Sequence, residues 1–251
     1  MQLRRRAAVA FVTLLAAGLL PGVAVPVPVS ASAPLAGIVV GIDPGHNGRN
    51  YAYPSYLRRQ VWNGREWEDC DTTGTQTNGG YTESLFNFRV AAYLRAALQR
   101  DGAKVVMTRP DNTGHGPCVD TRARMLNRAH ANIAVDIHAD GGPSSGRGFT
   151  ILEPVRDSYN AHVITASARF GSLLRSAMLR LTPMPTSTYY GSHGIAHRSD
   201  LAGLNLATEP KVLIETGNMR NSRDARLLTS SRFQRQAAAA MESAIRAYLH
   251  R

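Results

Sequence analysis

The chain of 251 residues reads as an α/β protein with a largely parallel sheet. Two observations predict this class. Apolar, β-rich runs alternate with segments of helical periodicity along the chain. Three of those runs also end directly in a side chain capable of chemistry. Ile38-Val-Val-Gly-Ile-Asp-Pro-Gly leads into His46, Ile133-Ala-Val-Asp-Ile137 into His138, and Lys211-Val-Leu-Ile214 into Glu215. Ligand sites of open α/β sheets gather at the carboxyl ends of strands. Two histidines and a glutamate delivered there suggest a metal-dependent hydrolase site. A single histidine after a strand is ordinarily structural; three placements of one kind shift the balance towards function.

The first residues stand outside this pattern. Arg4-Arg5-Arg6 precede an apolar run from Ala7 to Leu20, then Pro21 and small residues, which is the layout of a secretory signal. The run holds about 14 residues against the roughly 20 that a membrane span needs. Residues 1–33 are read as a signal peptide, since Ala31-Ser-Ala33 fits the small-residue cleavage rule. Cleavage after Ala24 or Ala31 is an alternative, and an uncleaved anchor is the competing reading. Residues 34–251 are expected to form one domain, long enough for a sizeable core. No internal repeat and no long Pro/Ser linker follows Ala36.

The formal net charge is +11, and loss of Arg4, Arg5 and Arg6 with the signal leaves +8. In an exported protein this balance points to an anionic envelope polymer; an evenly spread, solubilising charge is an equal alternative. No Lys/Arg run interleaved with aromatics supports nucleic-acid binding, so nucleic acid is not an expected partner. Cys70 and Cys118 are the two cysteines. In an oxidising compartment the pair predicts a disulfide, worth at most ~4 kcal/mol by chain entropy. The alternative, a nucleophilic thiol beside a histidine, is disfavoured because neither cysteine lies at a strand-to-helix turn.

Residues 49–80 lose periodicity and are read as a long loop insertion with a short hairpin around Val61-Trp-Asn-Gly64. Its aromatics Tyr51, Tyr53, Tyr56, Trp62 and Trp67 serve either to pack the loop or to stack on sugar rings. A helix follows to Arg100, capped by Thr82, with Leu85, Phe86, Val90, Tyr93, Leu94, Ala97 and Leu98 on one face. Asp101-Gly102 ends it. Glu83 lies in its first turn, where a carboxylate suits the helix dipole and where it could also reach the strand ends. Lys104–Thr108 is the next strand, and a helix over 120–131 leads to the strand before His138. Gly148–Leu152 reads as a further strand and 158–181 as a helix. Pro183-Met-Pro185 then breaks the chain before a polar loop carrying His193, His197 and Arg198. A closing helix over 231–249 follows the strand that ends at Glu215.

The motifs, taken in order, resemble the zinc-dependent N-acetylmuramoyl-L-alanine amidases of the Amidase_3 type. The matching stretches are Ile42-Asp-Pro-Gly-His46-Asn-Gly48, Glu83 with Asn87, and Gly102-Ala-Lys-Val-Val-Met-Thr-Arg109 with Asp111. Further matches are Arg122 with Leu126-Asn127, Ile137-His138-Ala139, and Val212-Leu-Ile-Glu215-Thr-Gly217 followed by Asn221 and Asp224. They span residues 38 to 250. The resemblance implies a three-layer fold, a mixed, mostly parallel sheet of about six strands flanked by helices. It implies Zn²⁺ held by His46, Glu83 and His138, with Glu215 as the catalytic glutamate. The implied reaction is hydrolysis of the amide between N-acetylmuramic acid and L-alanine, in peptidoglycan or muropeptide fragments. The implied location is secreted, in the periplasm or cell wall, and a monomer is expected. His193, His197 and Arg198 become candidate substrate contacts.

Departures from the family pattern matter. The segment between His46 and Glu83 is longer than usual, which leaves Glu66 and Glu68 as rivals to Glu83. Asp136 and Asp140 flank His138 where the family usually has Ser and Asn. Asp136 is thereby either a partner of the site or a core-edge residue. The stretch after His138 is too short for the helix that plugs the site in some members. Two other readings of the same residues stand beside the amidase: a zinc cell-wall carboxypeptidase, and a non-catalytic basic wall-binding protein.

Overall fold

The structure, a computed structural model, describes residues 33–250. The predicted signal peptide, apart from Ala33, lies outside the described residues. Strand β1 (Val39–Pro44) is followed by a 3₁₀ turn at Asn50–Ala52, the one-turn helix α1 (Pro54–Leu57) and a hairpin of β2 (Gln60–Trp62) and β3 (Trp67–Asp69). Then come α2 (Glu83–Arg100), β4 (Lys104–Met107), α3 (Val119–Arg128), β5 (Ile133–Asp140) and β6 (Thr150–Pro154). The chain continues through α4 (Ile164–Leu181), β7 (Ile195–Arg198), α5 (Ala202–Asn205), β8 (Lys211–Asn218), α6 (Ser222–Leu228) and α7 (Ser231–Tyr248).

Six strands form one mixed sheet in the order β4-β1-β5-β8-β6-β7. The first four run parallel, so β1, β5 and β8 finish at one edge. Strand β6 is antiparallel to β8, and β7 is parallel to β6. Chain length explains the reversal. Only residues 141–149 join β5 to β6, whereas a parallel return across the sheet takes a dozen or more residues. No helix interrupts that connection, as the short stretch after His138 implied.

Strand β5 is almost entirely buried, because helices cover both faces of the sheet. Phe86, Val90, Leu94 and Leu98 of α2 pack with Phe170 and Leu174 of α4 and Phe233, Ala237 and Met241 of α7 against Val40, Ile42, Val135 and Ile214. Across the sheet, Ala123 of α3 meets Ala202 and Leu206, and Leu204 packs on Leu152 and Leu213. Thr82 caps α2 by accepting from the Leu85 N–H at 3.4 Å. Gly102, at φ +90, turns the chain out of it.

Two local features differ from the sequence expectation. Helix α4 begins at Ile164 rather than near residue 158. Asp157 Oδ1 accepts from the N–H groups of Tyr159 and Asn160 at 2.8 and 3.1 Å, a local turn that competes with helix. The polar loop carrying His197 and Arg198 contains β7, an edge strand of four residues, too short for its alternation to show. The insertion over 49–80 holds the expected hairpin. Asn63 makes its turn by accepting from the N–H groups of Arg65 and Glu66, both at 2.9 Å. Cys70 and Cys118 form the expected disulfide, tying the insertion to the start of α3.

Candidate metal centre

The carboxyl edge of β1 and β5 assembles the centre. Beyond Asp43-Pro44 the chain passes through Gly45, whose N–H donates to the Ile137 carbonyl at 3.0 Å. A Cβ at Gly45 would lie 2.1 Å from the His138 ring, so only glycine lets the two strand ends close. His46 follows in the left-handed region, at φ 57.

Glu83, in the first turn of α2, lies between the two histidines. Its Oε2 is 3.2 Å from His46 Nε2, and its Oε1 is 2.8 Å from His138 Nδ1. The Thr75 N–H donates to Oε2 at 2.9 Å and Asn87 Nδ2 to Oε1 at 3.4 Å, which fixes the carboxylate. The imidazole rings stand edge to face, 4.9 Å apart. Among the described residues, His46, Glu83 and His138 form a cluster that could hold a metal ion, with one ligand atom from each lying within 4.8 Å of the others.

The electrostatics of this cup are mutual. Burial pushes the Glu83 carboxyl up, but the charges and hydrogen bonds of His46 and His138 outweigh it and hold the group well below the carboxylate range. Burial pushes the His46 imidazole down, yet Glu83 and Asp71 raise it well above its ordinary value. Two imidazole nitrogens and a carboxylate oxygen, converging and held by neighbours, are the donors of open zinc sites. The residues present therefore fit a divalent cation.

The rivals of Glu83 stand elsewhere. Glu66 belongs to the hairpin turn. Glu68 is held by the Ala202 N–H at 3.3 Å and borders an adjoining cavity of about 180 Å³, where burial pushes its carboxyl up to about 7. Asp136 lines the same cavity and pairs with Lys211 Nζ at 2.9 Å rather than with a histidine of the cup. Burial raises its carboxyl to about 7 against the pull of Lys211.

Glu215 sits on β8 in register with His138. Its Oε2 is buried without a hydrogen-bond partner. Burial, with the charges of Glu83 and Asp140, raises its carboxyl well above the ordinary value. With Asp140, Tyr189, Tyr190 and Arg198 it lines an open cleft of about 410 Å³. Tyr189 donates to Asp140 Oδ2 at 2.6 Å, and Arg198 Nη1 to the Tyr190 hydroxyl at 3.2 Å.

Of the predicted substrate contacts, Arg198 lies in this cleft; His193 and His197 do not line it. The His193 carbonyl accepts from Arg175, and the exposed His197 ring is 3.8 Å from buried Glu153. Sequence reasoning passed over Tyr189 and Tyr190, although an aromatic doublet after a Pro-broken stretch was visible. It also passed over Asp71, whose Oδ1 is 3.1 Å from His46 Nδ1; only the adjacent Cys70 marked that position.

Fold and site together define an α/β protein whose parallel strand ends carry a cup suited to a divalent cation, with a buried carboxyl beside it. The chain belongs to the family Amidase_3, N-acetylmuramoyl-L-alanine amidase, whose model matches residues 40–247. It is 41% identical over 241 residues to the N-acetylmuramoyl-L-alanine amidase Rv3717 of Mycobacterium tuberculosis, covering 92% of this chain and 96% of the relative. The crystal structure of the N-acetylmuramyl-L-alanine amidase Ami1 from Mycobacterium smegmatis superposes with a TM-score of 0.80 at 38% identity, covering 86% of this chain and 98% of that one. The apo form of Ami1 from Mycobacterium abscessus gives a TM-score of 0.80 at 39% identity, covering 86% of this chain and 100% of that one.

Proposed function

We propose that this chain is a zinc-dependent N-acetylmuramoyl-L-alanine amidase that cleaves the amide joining the lactyl group of N-acetylmuramic acid to L-alanine. Amide hydrolysis in peptidoglycan follows from the family and from relatives of similar length. The observation that carries the finer reading is the His46–Glu83–His138 cup with Glu215 in register beside it. His46 Nε2, a Glu83 oxygen and His138 Nδ1 would hold the ion. Zinc bound there would supply Lewis acidity, polarising a carbonyl and acidifying water.

The remaining chemistry belongs to the chain's own groups. Glu215 carries a buried carboxyl whose surroundings raise its affinity for a proton, so that its carboxylate is a stronger base than an exposed one. Such a group can take a proton from attacking water and return it to the departing amine. Arg198 and the Tyr190 hydroxyl line the same cleft and offer donors to the polar groups of a stem peptide. Arg198 has the strongest support as a substrate contact; His193 and His197 are proposed for outer contacts. Residues 1–33 are proposed as the signal peptide and 34–251 as a single domain exported to the periplasm or cell wall. The Cys70–Cys118 disulfide supports an oxidising compartment. No helix among the described residues is long and apolar enough to cross a membrane. A monomer acting on peptidoglycan or its fragments, without nucleic acid, completes the proposal.

Glu215→Gln tests the division of roles. Turnover is expected to fall by about 10²–10⁴-fold, while metal analysis finds zinc retained at the wild-type stoichiometry. Loss of zinc from this variant would contradict the role given to Glu215.

A further inference from the structure

Asp71 lies outside the donor set, in the segment between His46 and Glu83 that is longer here than the family pattern. It is buried, and both its oxygens are committed. Oδ1 faces His46 Nδ1 at 3.1 Å; Oδ2 accepts from Arg122 Nη2 at 3.2 Å and from Asn50 Nδ2 at 3.1 Å. Arg122 is itself buried, and its Nη2 also donates to the His46 carbonyl at 3.0 Å. The same pair of residues therefore grips both the ring and the backbone of His46.

The covalent frame supports that grip. Asp71 follows Cys70 directly, and Cys118 is the N-cap of α3, the helix that carries Arg122. The Val119 N–H donates to the Cys70 carbonyl at 2.8 Å, so the two segments joined by the disulfide are also hydrogen-bonded. A break in this frame would let the Asp71 segment and the start of α3 separate, and His46 would lose its outer support.

We infer that Asp71 is a positioning residue for the metal centre: it holds the His46 ring in the Nδ1–H tautomer with Nε2 aimed into the cup, and the Cys70–Cys118 bond keeps it in place. The inference rests on the metal reading given under Proposed function. An imidazole that donates from Nδ1 keeps its lone pair on Nε2, the atom 3.2 Å from Glu83 Oε2. A carboxylate acceptor fixes the tautomer and the ring plane and strengthens the nitrogen as a ligand. The Thr72 carbonyl, 3.2 Å from Nδ1, and Thr72 Oγ1, 3.3 Å away, are neutral partners of the same nitrogen. They retain part of the orientation when the carboxylate is removed, so the expected effect is a weakened site rather than an abolished one.

Zinc affinity of the purified full domain, read by competition with a chromophoric chelator, tests this. Asp71→Ala and Asp71→Asn are each expected to bind zinc about 10–100-fold more weakly, with far-UV circular dichroism showing both folded. Asparagine is the discriminating variant. It keeps the size of Asp71 and can still accept from Arg122, but then presents an N–H to His46 and favours the tautomer with the proton on Nε2. A role in packing alone would make asparagine milder than alanine; the inference requires it to be at least as damaging. The double variant Cys70→Ser/Cys118→Ser is expected to fall between wild type and Asp71→Ala in zinc affinity. Wild-type zinc affinity in Asp71→Asn would overturn the inference and leave the metal reading intact. Unchanged zinc binding in His46→Ala would overturn the metal reading and the inference with it.

Discussion

Replacing Arg122 by methionine removes a cation from between two buried carboxylates while keeping most of the apolar stem. Arg122 Nη1 is 2.9 Å from Asp43 Oδ1, and Nη2 is 3.2 Å from Asp71 Oδ2. The guanidinium also serves the carbonyls of Pro44 and Pro117 at 2.9 Å and of His46 at 3.0 Å. Burial pushes the Asp43 carboxyl up, but Arg122, with Lys211 and Thr108, brings it from 3.8 down to about 2. Nearly two units at 1.36 kcal/mol each make Asp43 alone worth about 2 kcal/mol at neutral pH, part of it from Arg122. Asp71 and three carbonyls losing their donor add to this, giving a total near the 3–5 kcal/mol typical of a broken buried pair, about 4 kcal/mol. The folded value of Asp43 lies below the unfolded one. Its stabilisation is therefore full above about 3.8 and is lost as pH falls through about 2. Urea denaturation of the oxidised, zinc-free protein measures the effect. The gap between wild type and Arg122→Met is expected to be about 4 kcal/mol at pH 7 and smaller at pH 3. A loss below about 1 kcal/mol at pH 7, the range of an exposed pair, would refute the reasoning, as would a gap that widens on acidification.

Two further substitutions probe the site. Gly45→Ala places a Cβ 2.1 Å from the His138 ring, so kcat/KM is expected to fall about 100-fold through displacement of that ring; wild-type kinetics would show that the strand ends have room to spare. Asp140→Asn removes one of the charges that, after burial and Glu83, raise the Glu215 carboxyl above its ordinary value. The acid limb of the pH profile of kcat/KM, which reports the essential base of the free enzyme, is expected to move to lower pH. A limb that stays in place or moves up would dissociate Asp140 from Glu215.

Much of the sheet and the cup was legible because both rest on abrupt local signals. His46, His138 and Glu215 each follow a mainly apolar run, of the kind that a strand buried on both faces sustains. Glu83 was legible through Thr82, the cap that starts α2. The antiparallel placement of β6 was not, because it depends on the span of residues 141–149 across the sheet rather than on their periodicity. Strand β7 and helix α5 have four residues each, too few for a pattern to declare itself. Asp71 was hidden for a different reason. Its role arises from a disulfide and a buried arginine 51 residues away in sequence, and an aperiodic segment gives no sign of what it will touch.

The central claim is tested most directly by mass spectrometry of the products from a purified muropeptide carrying both sugar and stem, with and without chelator. The account predicts a free stem peptide beginning at L-alanine, lost on chelation and restored by added zinc. A shortened stem still joined to the sugar would contradict it and assign the same cup to a peptidase.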